Sequence, residues 1–284
     1  MSEFPDILYR LRDPAAGPGP GAHGARDTGG PGIFRDQVPF WRHPDARRID
    51  LRATLRDPVG TTIVRRFEQP RAVEVWVLLD LSASMRFRGR AEPWRLARDL
   101  CVALARSATR IGDAFGLVGC DADAREDVTL PATRRRSAPD RVAAMLDAAA
   151  PRGRGAAGLI AGAERLAGRR RLVLVVSDFR MPNAQVAALF DRLAPHDLVP
   201  VLVDDDALGA DLPDFGLLAL DDLESGGRRL VLMRPALKAR WLAREAAFRA
   251  ALHRLALARG RPPYRLAGRL DADDLSRHLL GVAA

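Results

Sequence analysis

Asp80, Ser82 and Ser84 occupy alternate positions of one short stretch, Asp-Leu-Ser-Ala-Ser, directly after an apolar run at 73–79. Alternate residues on a tight loop can turn their oxygens toward one point. A carboxylate with two hydroxyls is a hard-oxygen set of the kind that Mg²⁺ or Mn²⁺ takes. A second carboxylate, Asp178, stands at the matching place after another apolar run, 172–176. Two acidic strand ends facing one crevice predict a cation site. Taken alone, Asp-x-Ser-x-Ser reads better as a helix cap, since Ser and Asp are favoured at N-termini. Its position after an apolar strand and before a long helix favours ligation, as does the later strand that ends in Ser177-Asp178.

That the two strand ends meet is an expectation about the elements around them. From residue 71 apolar runs alternate with amphipathic stretches, the pattern of parallel βαβ units. Strands are predicted at 73–79, 114–119, 172–176 and 198–203, with a short edge strand at 128–131. Helices are predicted at 91–111, 139–149, 156–167 and 183–193. In an open parallel sheet, ligand sites form beyond the carboxyl ends of the strands, where loops and helix N-termini converge. The predicted fold is α/β, a doubly wound, mostly parallel sheet flanked by helices, with a small β-rich N-terminal lead-in. Four regions follow. Residues 1–31 are expected to be a flexible segment, because 14–32 is Gly, Pro, Ala and Arg with almost nothing to bury. Residues 32–70 form the lead-in, with strands at 49–55 and 62–67 around a Pro58-Val59-Gly60 turn. Residues 71–234 form the α/β domain, closing with strands at 215–220 and 228–233. Residues 235–284 supply helices at 235–259 and 272–280 that pack on it, separated by Gly260-Arg261-Pro262-Pro263.

Composition narrows the function. With 284 residues and 48% hydrophobic content the chain can bury a sizeable core. It has no apolar stretch near the roughly 20 residues that cross a bilayer, and its start lacks a signal-peptide layout, so it is placed in the cytoplasm. Cys101 and Cys120 lack metal or redox spacing and read as buried thiols, and the five histidines are scattered. A net charge of +9 raises the possibility of nucleic acid. Yet Lys238 is the only lysine, and Arg134-Arg135-Arg136 and Arg169-Arg170-Arg171 fall at turns without aromatic stacking platforms, so a solvated surface is favoured.

Val77-Leu78-Leu79-Asp80-Leu81-Ser82-Ala83-Ser84-Met85 resembles the metal-ion-dependent adhesion motif of von Willebrand A domains, and Val175-Val176-Ser177-Asp178-Phe179 resembles its third motif. Residues 47–54 and 64–68 are similar to the lead-in of a bacterial A-domain family of uncharacterised function encoded beside MoxR-type AAA+ ATPases. Residues 43–48, 56–58 and 111–116 are most similar to the MxaS-type accessory proteins of methanol-oxidation clusters. The resemblance implies a Rossmann-like fold and Mg²⁺, with Mn²⁺ or Ca²⁺ as alternatives, held by Asp80, Ser82, Ser84 and Asp178. It also implies docking to a MoxR-type AAA+ ATPase and to an acidic client, in maturation of a metalloenzyme such as methanol dehydrogenase. In one respect the chain departs from the family. The second motif usually supplies a threonine, but Arg152-Gly153-Arg154-Gly155-Ala156-Ala157-Gly158 offers no hydroxyl, and Arg154 would repel a cation. Metal binding is then expected to be weakened or lost, with the loop kept as a docking face.

The competing classes fare less well. A metal-dependent hydrolase would need a base, and Ser82 and Ser84 have no histidine or lysine near them in sequence. A nucleotide enzyme would need a phosphate-binding loop, and none is present. Asp204-Asp205-Asp206 and Asp121-Ala122-Asp123 lack the spacing and glycine of a calcium loop and read as solvated strand ends, with Asp121 or Asp123 as an outside second contact to the site. No enzyme activity is expected.

Overall fold

The computed structural model describes residues 6–12, 33–68, 72–87, 89–153, 155–205, 211–221, 223 and 226–281. Contacts divide the chain into two compact units, one of residues 11–73 and one of the residues up to Arg10 together with those from Glu74 onward. In the first, strand β1 (Ile33–Pro39) pairs antiparallel with β2 (Ile63–Glu68), and helix α1 (Leu51–Arg56) lies between them. The strand expected at 49–55 is therefore corrected to a helix, and only Ile49 makes a bridge, to Val64. Asp50 decides the matter. Its carboxylate accepts the amides of Arg52 and Ala53 at 3.1 and 3.2 Å, an N-cap that starts a helix and that a strand has no use for.

In the second unit, strands β3 (Glu74–Asp80), β4 (Ala114–Cys120), β5 (Ala124–Thr133), β6 (Leu172–Ser177) and β7 (Asp197–Asp204) are interleaved with four helices. These are α2 (Pro93–Arg110), α3 (Ala138–Ala148), α4 (Gly158–Glu164) and α5 (Asn183–Arg192). A two-stranded ribbon, β8 (Gly216–Asp221) with β9 (Arg228–Met233), leads to helix α6 (Pro235–Leu257), strand β10 (Tyr264–Ala267) and helix α7 (Ala272–Leu280). Six strands make the central sheet in the order β10-β7-β6-β3-β4-β5, parallel throughout except for β5. This is the doubly wound α/β fold. Chain growth runs from β3 toward β5 and then, from β6, in the opposite direction, so the reversal falls between β3 and β6.

Burial explains the strand types. Every residue of β4, β6 and β7 is buried, as helices on both faces of a parallel sheet require, while β5 at the edge alternates. Leu78, Val118, Val173 and Val175 pack beneath α4, α5 and the last turns of α6. At Gly162 of α4, a Cβ would come within 2.6 Å of Cys120 Sγ, so the glycine lets the helix lie against the sheet. Cys101 and Cys120 are free and buried, and burial pushes both thiols up to about 12. Among the described residues no helix is long and apolar enough to cross a membrane.

Further expectations are corrected. The flexible segment 1–31 includes residues that are fixed in place: Ile7 and Tyr9 are buried, the Ile7 amide donates to Ser107 Oγ (2.9 Å), and the Tyr9 hydroxyl donates to Asp113 Oδ2 (2.7 Å). Its Gly/Pro-rich part lies outside the described residues. The edge strand expected at 128–131 runs from Ala124 to Thr133, and β10 was not anticipated, because four residues after Pro262-Pro263 carry little periodicity. Asp204 and Asp205 are buried, not solvated. Asp204 is ion-paired with Arg249 and Arg265, each at 2.9 Å, and Asp205 accepts the Ala91 amide at 3.1 Å. Asp206 lies outside the described residues.

Leu78, fully buried on the central strand, sets a stability test. Leu78→Ala should lower the unfolding free energy by roughly 2–5 kcal/mol in urea titrations, whereas Leu55→Ala, at an 86% exposed position, should stay within about 0.5 kcal/mol. Equal losses would show that the sheet does not carry the core.

Candidate functional site

Asp80 closes β3 and Asp178 follows β6 by one residue, so both stand at the carboxyl edge of the sheet, on the two strands that flank the reversal. There adjacent loops must diverge, and a crevice opens between them. It forms a cavity of about 210 Å³ lined by Asp80, Ser82, Ser84 and Asp178, with the 155–156 backbone and Arg180 among the other walls. All four residues singled out from the sequence are thus brought together.

A chain of hydrogen bonds sets their orientation. Asp80 Oδ1 accepts the Ser82 amide at 2.8 Å and Asp80 Oδ2 accepts Ser177 Oγ at 2.5 Å. Ser177 Oγ in turn accepts the Phe179 amide at 2.8 Å. The hydroxyls of Ser82 and Ser84 lie 2.9 Å apart, Ser84 bonds the Asp178 carboxylate, and Asp178 Oδ1 accepts the Arg180 amide at 3.0 Å. Phe179 holds φ at 52°, a left-handed conformation that costs a bulky residue energy. Its buried ring, edge-on to Phe190 at 6.0 Å, offsets that cost.

The Gly-rich loop forms the opposite wall. The Gly153 amide donates to Leu81 O at 3.2 Å, and Gly153 O accepts the Ala83 amide at 2.9 Å, so this loop is tied to the Asp80 loop in parallel register. A Cβ on Gly153 would come within 2.0 Å of Asp121 Cβ, which makes glycine obligatory. Gly155 and Ala156 face the cavity without a hydroxyl, as the missing threonine foretold. Arg154 lies outside the described residues. Asp121 and Asp123 do not line the cavity. Asp121 packs behind the loop, with its carbonyl accepting the Gly158 amide at 2.9 Å.

Two contributors were missed at the level of sequence. Ser177 was quoted only as part of a motif, yet it is the hydroxyl that fixes Asp80. Arg180 reaches the rim with its guanidinium 4.5 Å from the Phe248 ring, paired through two 2.7 Å bonds to Glu245 of α6. The Asp-Phe-Arg order placed Arg180 beside the acid, but nothing local pointed to α6.

Burial, and then the charge of Asp178, push the Asp80 carboxyl up to about 7, and burial also raises Asp178. Two carboxylates and two hydroxyls converge, so the donor set fits a hard divalent cation. Among the described residues there is no cluster of three or more His, Cys, Asp or Glu.

The family model described as a protein of unknown function, DUF58, matches residues 42–251. The chain belongs to this family. An uncharacterised protein of Mycobacterium tuberculosis (strain ATCC 25618 / H37Rv) is 32% identical over 273 residues, covering 94% of this chain and 80% of that protein. A Paracoccus denitrificans protein, described as an uncharacterised protein in the moxR 3′ region, is 38% identical over 98 residues, 33% of this chain and 90% of that one. Among solved structures, an aerotolerance-related membrane protein of Bacteroides fragilis NCTC 9343 matches at TM-score 0.43 and 18% identity, over 73% of this chain and 98% of that one. A mussel byssus proximal thread matrix protein, described with a zinc-occupied MIDAS motif, matches at TM-score 0.32 and 17% identity, over 47% and 38%.

The raised Asp80 carboxyl has a measurable consequence. Unfolded, it titrates near 3.9; folded, it titrates near 7. The metal-free fold therefore loses stability through this group as pH rises from about 4 to 7, and the full loss persists above that range. Asp80→Asn keeps an acceptor for Ser82 and removes the charge. In EDTA at pH 8 it should raise the melting temperature by about 4 °C or more, with no gain near pH 4. A lower melting temperature at pH 8 would show that the carboxylate is not destabilising.

Proposed function

We propose that this chain is a non-enzymatic docking module whose Asp80, Ser82, Ser84 and Asp178 hold Mg²⁺, directly or through water. The observation that carries this reading is the convergence of two strand-end acids and two hydroxyls in one cavity at the sheet's reversal. When bound, the ion offers an open coordination position to a partner's Asp or Glu carboxylate. The chain's own residues do the rest. Ser177 and the Ser82 amide fix the Asp80 carboxylate, and Ser84 steadies Asp178. Mn²⁺ and Ca²⁺ suit the same donors. Because Ala156 brings no hydroxyl, the affinity is modest.

The proposed partner is a MoxR-type AAA+ ATPase. The Paracoccus denitrificans relative, described by its place 3′ of moxR, supports this pairing. The module would couple that ATPase to an acidic client in the cytoplasm, in maturation of, or metal insertion into, a metalloenzyme such as methanol dehydrogenase. Absence of catalysis is part of the proposal; the described residues that line the cavity include no histidine, lysine or cysteine. Nucleic-acid binding gains no support at Arg171, which is committed to Glu74 (2.7 Å).

Calorimetry with Mg²⁺ tests the site. Asp80→Ala should abolish binding, and Ala156→Thr, which restores a hydroxyl at the cavity wall, should tighten it by about tenfold, or ~1.4 kcal/mol. Pull-down of a MoxR-type ATPase should succeed in Mg²⁺ and fail in EDTA or with Asp80→Ala. Undiminished capture by the variant would remove the metal from the mechanism.

A further inference from the structure

In the unit of residues 11–73, helix α1 is turned inside out. A helix of six residues is too short to keep its shape alone, and the contacts that hold this one are polar. Asp50 caps its first turn and pairs with Arg65 at 2.7 Å, and Thr54 Oγ1 accepts the Ile63 amide at 2.9 Å. Asp50 is buried and Ala53 and Thr54 are partly buried, so this side of the helix faces β2. Leu51 and Leu55, one turn apart, stand on the outer side and are 71% and 86% exposed. A helix packed on a sheet ordinarily does the reverse and turns its apolar row inward. Leucines aligned in a row, holding nothing in place and facing water, mark an interaction surface. Neither lines the cavity at Asp80.

Positive charge lies directly beside that row. Arg52 and Arg56 each follow one of the leucines, about 100° further round the helix. Both are exposed, and neither makes an ion pair among the described residues. The acids at the two ends of the helix are engaged elsewhere: Asp50 with Arg65, and Asp57 with the Thr61 amide, which it accepts at 2.6 Å. Asp36 and Asp45 of the same unit pair with Arg66 and Arg48. The free side of α1 is therefore a leucine row and an arginine row side by side, each repeating at about 6 Å along the axis.

The arrangement of the rows indicates the occupant. The four exposed positions span about 140° of the helix circumference, and the positions between them on the other side are turned to β2. A helix seated in a membrane surface needs its apolar ridge at the centre of its free sector. Here the leucines lie at the margin of that sector, next to Thr54, and the arginines fill the rest. Two parallel rows, one apolar and one cationic, are matched by a second helix that carries leucines in one row and acids in the next at the same spacing. We propose that α1 is a docking helix, independent of the metal, whose Leu51, Arg52, Leu55 and Arg56 bind an acidic amphipathic helix of a partner protein.

The test uses the full chain in EDTA, so that no metal takes part, and a fluorescein-labelled helical peptide with leucine and glutamate rows at i, i+4 spacing. A twin peptide carries lysine in place of glutamate. Anisotropy should show saturable binding of the glutamate peptide below about 1 mM, and at least about tenfold weaker binding of its twin. Leu51→Ser with Leu55→Ser should weaken binding by about tenfold or more. Arg52→Glu with Arg56→Glu should do the same for the glutamate peptide and strengthen binding of the lysine twin. Melting temperatures should stay unchanged in both variants, because all four positions are exposed and Asp50 and Thr54 are kept. Leu217→Ser with Leu230→Ser, at exposed positions of the β8–β9 ribbon, should bind as the wild type does. No saturable binding, equal binding of both peptides, or undiminished binding by the Leu51 and Leu55 variant would overturn the proposal. So would wild-type dimers in sedimentation that this variant abolishes, which would make the occupant a second copy. Co-sedimentation with phosphatidylglycerol vesicles that depends on the same two leucines, without peptide binding, would also overturn it and assign the helix to a membrane.

Discussion

Two carboxylates are held close together where the sheet changes its direction of growth, and much of the local structure answers to the repulsion between them. Separated in water, Asp80 and Asp178 would both be ionised at neutral pH. Here burial raises both, and the charge of Asp178 adds to the rise at Asp80, which reaches about 7. A fold keeps such an arrangement only if its backbone leaves no alternative. That backbone is the parallel pairing of β3 with β6, in which Leu79 lies opposite Val176. Once this register is set, the strand ends fall side by side, and the acids that follow them share one crevice.

The surrounding chain accommodates the pair with directed donors and not with a neutralising base. Backbone amides of Ser82 and Arg180 point at one oxygen of each carboxylate, and Ser177 supplies a hydroxyl to the other oxygen of Asp80. These dipoles lower the energy of the charged forms without cancelling them. The cost appears nearby, in the left-handed backbone of Phe179 and in the requirement for glycine at 153. Both are positions where local preference yields to the geometry of the crevice.

Much of this was legible in the sequence because parallel sheets write plainly. Fully buried strands such as Leu172–Ser177 appear as continuous apolar runs, and the residues that end them are then the candidates for a site. That logic found Asp80, Ser82, Ser84 and Asp178 together. It failed where one residue outweighed periodicity, as when Asp50 capped a helix over a stretch that alternates like a strand. It also failed where tertiary contact decided the environment. Asp204 and Asp205 look solvated in sequence, and only Arg249, Arg265 and the Ala91 amide, all distant along the chain, make them buried. Arg180 was missed for the same reason, since Glu245 and Phe248 lie more than sixty residues away.

The charge balance of the pocket follows from that last contact. Among the described residues that line the cavity Arg180 is the one cationic side chain, and taken alone it would offset one of the two carboxylates. Its guanidinium, however, is engaged by both oxygens of Glu245 and stacked on Phe248, so its charge is already matched from α6. Among the described residues, counting Asp80, Asp178 and Glu245 against Arg180 leaves an excess of negative charge that protons or an external cation can relieve. Burial raises the Asp80 carboxyl, so protons supply part of that relief. The remainder is the electrostatic demand that a divalent ion, held by oxygens already oriented toward one point, is suited to meet.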